Sequence, residues 1–184
     1  MSPSDVLSDD VLRTLAMRAP AADHFGTGSV IQAHVRIESM LIELLRRELP
    51  QPEALDLERI SFAQASRLCV ATGVLRTELL GPLLCLNKIR NQLAHKLHAG
   101  PSAAHVSELT LALRSGPRIA PQEIDASVPA VALSKLIGYI IGLIVGEYRV
   151  KQLVRADPSI LHDRRRLSDA ILALRDEWFA PDAA

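Results

Sequence analysis

Apolar residues recur along most of this chain at the three- and four-residue spacing of helices, and no stretch alternates as a half-buried strand would. Seven segments carry the pattern clearly enough to bound. Ser8-Asp9-Asp10 predicts the cap of a short helix through Met17, ended by Arg18-Ala19-Pro20, and a loop spans Ala21 to Gly28. A long helix is expected from Ser29 to Glu48, with Val35, Ile37, Leu41, Ile42, Leu44, Leu45 and Leu49 on its apolar arc. Leu49-Pro50-Gln51-Pro52 breaks it, and Ser61 with Gln64 forms a capping box for a helix to Thr72, stopped by Gly73. That helix has Ala63, Leu68, Cys69 and Ala71 on its apolar side. A helix from Pro82 to Leu97 follows, closed by Gly100-Pro101. Ser102 starts the next, with Val106, Leu109, Leu111 and Leu113 apolar, ended by Ser115-Gly116-Pro117. After a linker from Arg118 to Ala126 comes the most apolar run, Val128 to Val145, on a helix reaching Val154. Asp157-Pro158-Ser159 punctuates, and Arg164-Arg165-Arg166 opens a last helix with Ile171, Leu172, Leu174 and Trp178 apolar, before a tail from Pro181.

The helix from Pro82 to Leu97 organises the rest. With Arg90 set at about 0° and about 100° per residue, Leu83, Leu86, Ile89, Leu93, Ala94 and Leu97 fall between roughly 260° and 40°, a buried stripe. Asn87, Asn91 and His95 fall at about 60°, 100° and 140°, a polar row along the stripe's edge. Arg90 lies inside the apolar arc, and burying a guanidinium is costly unless it is paired and hydrogen-bonded. Two readings of that placement are open. One is a structural Arg reaching past the core to a carboxylate or helix end. The other is a site in which Arg90 holds phosphate oxygens, His95 moves protons and Asn91 orients.

Glu38 and His34 also fall within the apolar arc of their own helix. Two opposite charges misplaced on two helices suggest that Glu38 pairs with Arg90. His34 reads as a satisfied core or interface histidine rather than a second catalytic group.

Bulk properties narrow the class. The 184 residues are most simply one domain with a real core, and 48% hydrophobic content excludes a disordered chain. Aromatics are scarce at 3%, so the core is aliphatic, and no basic surface interleaved with aromatics exists for base stacking. Formal net charge is zero, which argues against a general polyanion binder. The charges are segregated, however. Residues 1–60 hold ten acids against six Arg, residues 61–120 seven bases against Glu78 and Glu108, and residues 121–184 nine acids against eight bases. The polar row thus lies in the one basic third. Cys69 and Cys85 sit in apolar runs and read as buried small hydrophobes in a reducing compartment, rather than as a disulfide or metal pair. No Cys/His cluster has zinc spacing, and no phosphate loop, dinucleotide fingerprint, H-E-x-x-H or G-x-S-x-G is present, so no cofactor or metal is expected. The N-terminus lacks a basic region followed by an apolar core, and a cytoplasmic location is expected, with no membrane partner. The run from Val128 approaches membrane-spanning length, but Lys135 interrupts it and it reads as a buried helix. Gly138, Gly142 and Gly146, four apart, suggest a helix pressed against that face, within the chain or in a dimer. The adjacent Arg164, Arg165 and Arg166 read as a solvated face, with RNA phosphates as the other candidate contact.

Arg90-Asn91-Gln92-Leu93-Ala94-His95, preceded by Leu86-Asn87-Lys88-Ile89 late in an apolar helix, resembles the signature of the HEPN superfamily (higher eukaryotes and prokaryotes nucleotide-binding). That signature is an Arg, a short spacer and a His, with a small polar residue often directly after the Arg. The resemblance is placed over residues 25–150. It implies an all-α, single-domain, HEPN-like helical bundle of about six to seven helices. Its parts would be an N-terminal helix and loop at 1–24, the bundle at 25–156, and a C-terminal helix packing on it at 157–184. It further implies a homodimer in which two motifs face each other across a cleft that, in active members, cuts RNA without metal. Arg90, Asn91 and His95 would be the catalytic set, with Glu38 and Asn87 in support. Such an enzyme would be a toxin or phage-defence effector, with an antitoxin or regulatory protein as partner. Other members keep the fold as catalytically silent binding or regulatory modules, which is the alternative expectation. In some HEPN toxins a Tyr closely follows the His and is modified by the antitoxin; Lys96-Leu97 stand here instead, which puts that control in doubt.

Overall fold

The computed structural model describes residues 26–95, 100–115 and 124–162, with 165, 166, 168 and 169 beyond them. These residues form an all-α protein with five α-helices: α1 (Thr27–Glu48), α2 (Phe62–Ala71), α3 (Leu80–Ala94), α4 (Ala103–Arg114) and α5 (Pro129–Ala156). The expected helix at 8–17 lies outside the described residues, as does most of the last one.

Local chemistry explains most boundaries. Ser61 caps α2 by accepting from the Gln64 N–H, while the Gln64 side chain accepts from the Ser61 N–H at 2.8 Å, the reciprocal capping box read from the sequence. Gly73 ends that helix in the left-handed region at φ 70°, where a Cβ would be strained. Ser102 and His105 make a second capping box for α4. The α5 helix starts with Pro129 at its first position and ends at Asp157, which caps the turn after it by accepting from the Ser159 N–H at 3.0 Å.

The start of α3 differs from expectation. The helix α3 begins at Leu80, because a 3-10 turn at Thr77–Leu79 runs straight into it. Pro82 is therefore its third residue rather than its first, still inside the turn whose N–H groups have no helical acceptor. At the other end α3 is described to Ala94, with His95 as its C-cap. Residues 96–99 lie outside the described set.

The core is aliphatic and continuous. Leu41, Leu44 and Leu45 of α1, Leu83, Leu86 and Ile89 of α3, Leu109 of α4, and Leu133, Leu136 and Ile140 of α5 have no exposed surface. Each helix packs on the next in sequence, and α1 also packs on α3 and α5. So α3 is flanked by α1, α2 and α4. Ion pairs tie α5 to the rest. Arg155 donates to Glu48 at 2.6 Å, Arg76 pairs with Glu147, and Arg47 donates to the Tyr148 hydroxyl at 2.7 Å.

The α5 helix buries Ala132, Leu133, Leu136, Ile137, Ile140, Ile141, Ile144, Val145 and Tyr148. By length and composition alone it could also cross a membrane, and 44% of its most apolar window is buried in the molecule. Among the described residues of the chain itself, no helix presses on the glycine face of α5 at two positions. Gly138 and Gly146 are exposed, and a Cβ on either would meet nothing within 4 Å.

Candidate functional site

The polar row of α3 opens onto a groove of about 520 Å³, lined by Leu84, Asn87, Lys88, Asn91, Gln92 and His95. Five of the six come from α3 and His95 is its C-cap, so this helix presents one wall, and no described residue outside it lines the groove. The buried face of the same helix explains the presentation. Leu83, Leu86, Ile89 and Leu93 lock into the core and turn the Asn87-Asn91-His95 row outward. Along this row burial decreases: Asn87 is half-buried, and Asn91 and His95 are exposed. His95 ends the helix, its N–H donating to the Asn91 carbonyl at 3.2 Å and its imidazole in solvent. Lys88 is held at the groove by an ion pair with Glu108 of α4, which raises the lysine's pKa.

Arg90 is not among the residues lining the groove. It is half-buried, its Nη1 donates to Asn91 Oδ1 at 3.1 Å, and its buried Nε has no partner. Its guanidinium therefore stands behind the row and touches it through Asn91. Among the described residues Arg90 reaches no carboxylate, and it does not line the groove.

The expected Glu38–Arg90 pair is not formed among the described residues. The reason is the true buried face of α1. Val30, Ala33, His34, Ile37, Met40, Leu41, Leu44 and Leu45 are buried, so Ala33 and Met40 pull the face away from Val35 and Glu38. Glu38 lies on its rim, half-buried, and Val35 is 48% exposed.

What the sequence reading passed over is the partner of Asn87. His34 of α1 is 4% exposed and stacks on Phe62 with ring centroids 4.0 Å apart. Its Nε2 lies 3.0 Å from Asn87 Oδ1, and its buried Nδ1 has no partner. Burial first, and then the nearby Arg90 charge, pull the His34 pKa below its ordinary value, with the Asn87 bond opposing. His34 is thus a core histidine, as expected from its arc, but one bonded to the site. The signal was present: His34 faces the core where α1 meets α3, and Asn87 borders the α3 stripe.

The cysteines are free, and burial pushes Cys85 up to about 11 and Cys69 up to about 12, so neither is a ready nucleophile at neutral pH. Among the described residues no group of three His, Cys, Asp or Glu side chains could hold a metal.

Fold and site together define an all-helical protein, among the described residues, with a groove along one helix. No family model matches the chain, and no curated protein or solved structure matches it.

Proposed function

We propose that this chain is a HEPN-type helical bundle, of six to seven helices in full, whose homodimer cleaves RNA without a metal. The observation that carries the reading is the gathering of Asn87, Asn91 and His95 along one open groove, with the Arg90 guanidinium bonded to Asn91 directly behind them.

RNA supplies its own nucleophile. The ribose 2′-oxygen attacks the adjacent phosphorus as a base takes the 2′-proton. The bond from phosphorus to the 5′-oxygen breaks, and an acid gives that oxygen a proton, leaving a cyclic phosphate and a free 5′-hydroxyl. His95, exposed at a helix end, takes one of these proton roles. The Asn side chains donate to the phosphate oxygens, and Arg90 offsets their growing charge. One groove holds one His, so a second copy facing it provides both the missing wall and the second proton carrier. The cellular setting that fits is a cytoplasmic toxin or defence effector held by an antitoxin or regulatory protein.

Controlled expression tests this. Growth should slow with wild type and recover with His95→Ala produced at the same level. Wild type that accumulates without harm would contradict a free ribonuclease.

One observation favours a second reading, a silent module that binds a protein or nucleotide. Arg90 stays out of the groove, half-buried and with a buried Nε. On this reading Arg90→Ala lowers stability and changes no chemistry.

A further inference from the structure

Both asparagines that face the groove have their carbonyl oxygens engaged within the protein. Asn87 Oδ1 lies 3.0 Å from His34 Nε2, and Asn91 Oδ1 accepts from Arg90 Nη1 at 3.1 Å. A carboxamide oxygen only accepts, so the His34 bond requires the proton on Nε2 and leaves Nδ1 bare. That agrees with a neutral imidazole walled in by Phe62, with no partner at Nδ1. Asn87, whose oxygen is turned inward on His34, turns its NH2 outward, and the exposed Arg90 bond that holds the Asn91 oxygen leaves the Asn91 NH2 out of that contact. Two NH2 groups one helical turn apart, about 6 Å along the axis, then face the groove with Lys88 between them.

We propose that His34 and Arg90 are positioning residues that fix Asn87 and Asn91 as a row of donors, so that the groove selects a ligand offering only acceptors, the phosphodiester backbone of a single RNA strand. The inference deepens the ribonuclease reading and rests on it for the identity of the strand. Its physical content is separate: the buried His34 sets the direction of an amide at the surface. Without that bond the Asn87 carboxamide is free to flip, and an acceptor facing the groove would repel phosphate oxygens. The device also explains a histidine in an aliphatic core, where a Phe or Leu would pack without an orphaned nitrogen.

The test is nitrogen NMR on the full chain, titrated with a short oligoribonucleotide carrying 2′-O-methyl groups, which keeps the phosphates and lacks the nucleophile. In wild type, His34 should show its proton on Nε2, and the Asn87 and Asn91 NH2 signals should shift on binding. Asn87→Asp keeps an acceptor for His34 and removes the outward donors. It should fold normally and bind at least about tenfold more weakly, the equivalent of one lost hydrogen bond or more. His34→Phe should keep the stack on Phe62 and abolish the Asn87 shift. The same oligonucleotide with uncharged methylphosphonate linkages should not bind. Binding that leaves both Asn signals unmoved, a proton on Nδ1, equal binding of the uncharged strand, or no binding at all would each overturn the inference. The two claims fail separately. Binding through the amide row without cleavage of unmodified RNA removes the enzyme and keeps the donor row. Cleavage with KM unchanged in Asn87→Asp and His34→Phe removes the donor row and keeps the enzyme.

Discussion

His34 carries the clearest consequence at the scale of one residue. Its pKa is pulled down in the folded chain, so the unfolded chain binds the extra proton more readily. The stability that neutral His34 contributes is therefore complete above its ordinary pKa of about 6.5 and declines as pH falls below it towards the lower folded value. Thermal melts from pH 8 to pH 5 should show Tm falling over the acid half of that range. His34→Phe should flatten this dependence, and a slope as steep in the variant as in wild type would place the titration elsewhere. The comparison also shows what single residues could and could not reveal. Asn87, Asn91 and His95 were legible as a row, because helical geometry alone places them on one edge. The Asn87–His34 bond was not, since it depends on how two helices meet across the core. Glu38 misled for the same reason: small Ala33 and flexible Met40 rotate the buried face of α1, and a charge assigned to the core lies on its rim.

At the scale of the element, the helices were readable where capping chemistry is explicit. The boxes at Ser61 and Ser102, the left-handed Gly73 and the Pro129 start all punctuate the chain where side-chain or backbone geometry demands it. The start of α3 was misplaced because a 3-10 turn feeds into it with no cap at all. Within the elements, some apolar residues were placed on the wrong side, Val35 of α1 and Leu111 of α4 among them. Leu111, assigned to the apolar side of α4, is 69% exposed. The glycines of α5 give an element-scale prediction. Gly138 lies mid-helix with open space around its Cβ position. Gly138→Ala should raise stability by about 0.5–1 kcal/mol, through the helix propensity that glycine lacks. Chemical denaturation measures this. A loss of stability would mean that a close-packed neighbour covers this face in solution.

At the scale of the whole molecule, the packing order places α3 where both its faces have work. Its inner face is gripped by α1, α2 and α4, and its outer face carries the groove. Rigid support of this kind suits a site whose chemistry depends on aligning a phosphate between donors and a proton carrier. All-α architecture was legible in full, from periodicity and the scarcity of aromatics. The homodimer is a proposal that comes from the motif resemblance, and the described residues show only one wall of the groove. The central claim is that Arg90 and His95 serve RNA cleavage. Its most direct test is the cutting of end-labelled structured and single-stranded RNA in EDTA by wild type, Arg90→Ala and His95→Ala side by side. Wild type should cut, and each variant should lose about a hundredfold or more in rate with folding and molecular mass unchanged. Equal cutting by all three proteins, or none by wild type, would contradict the account.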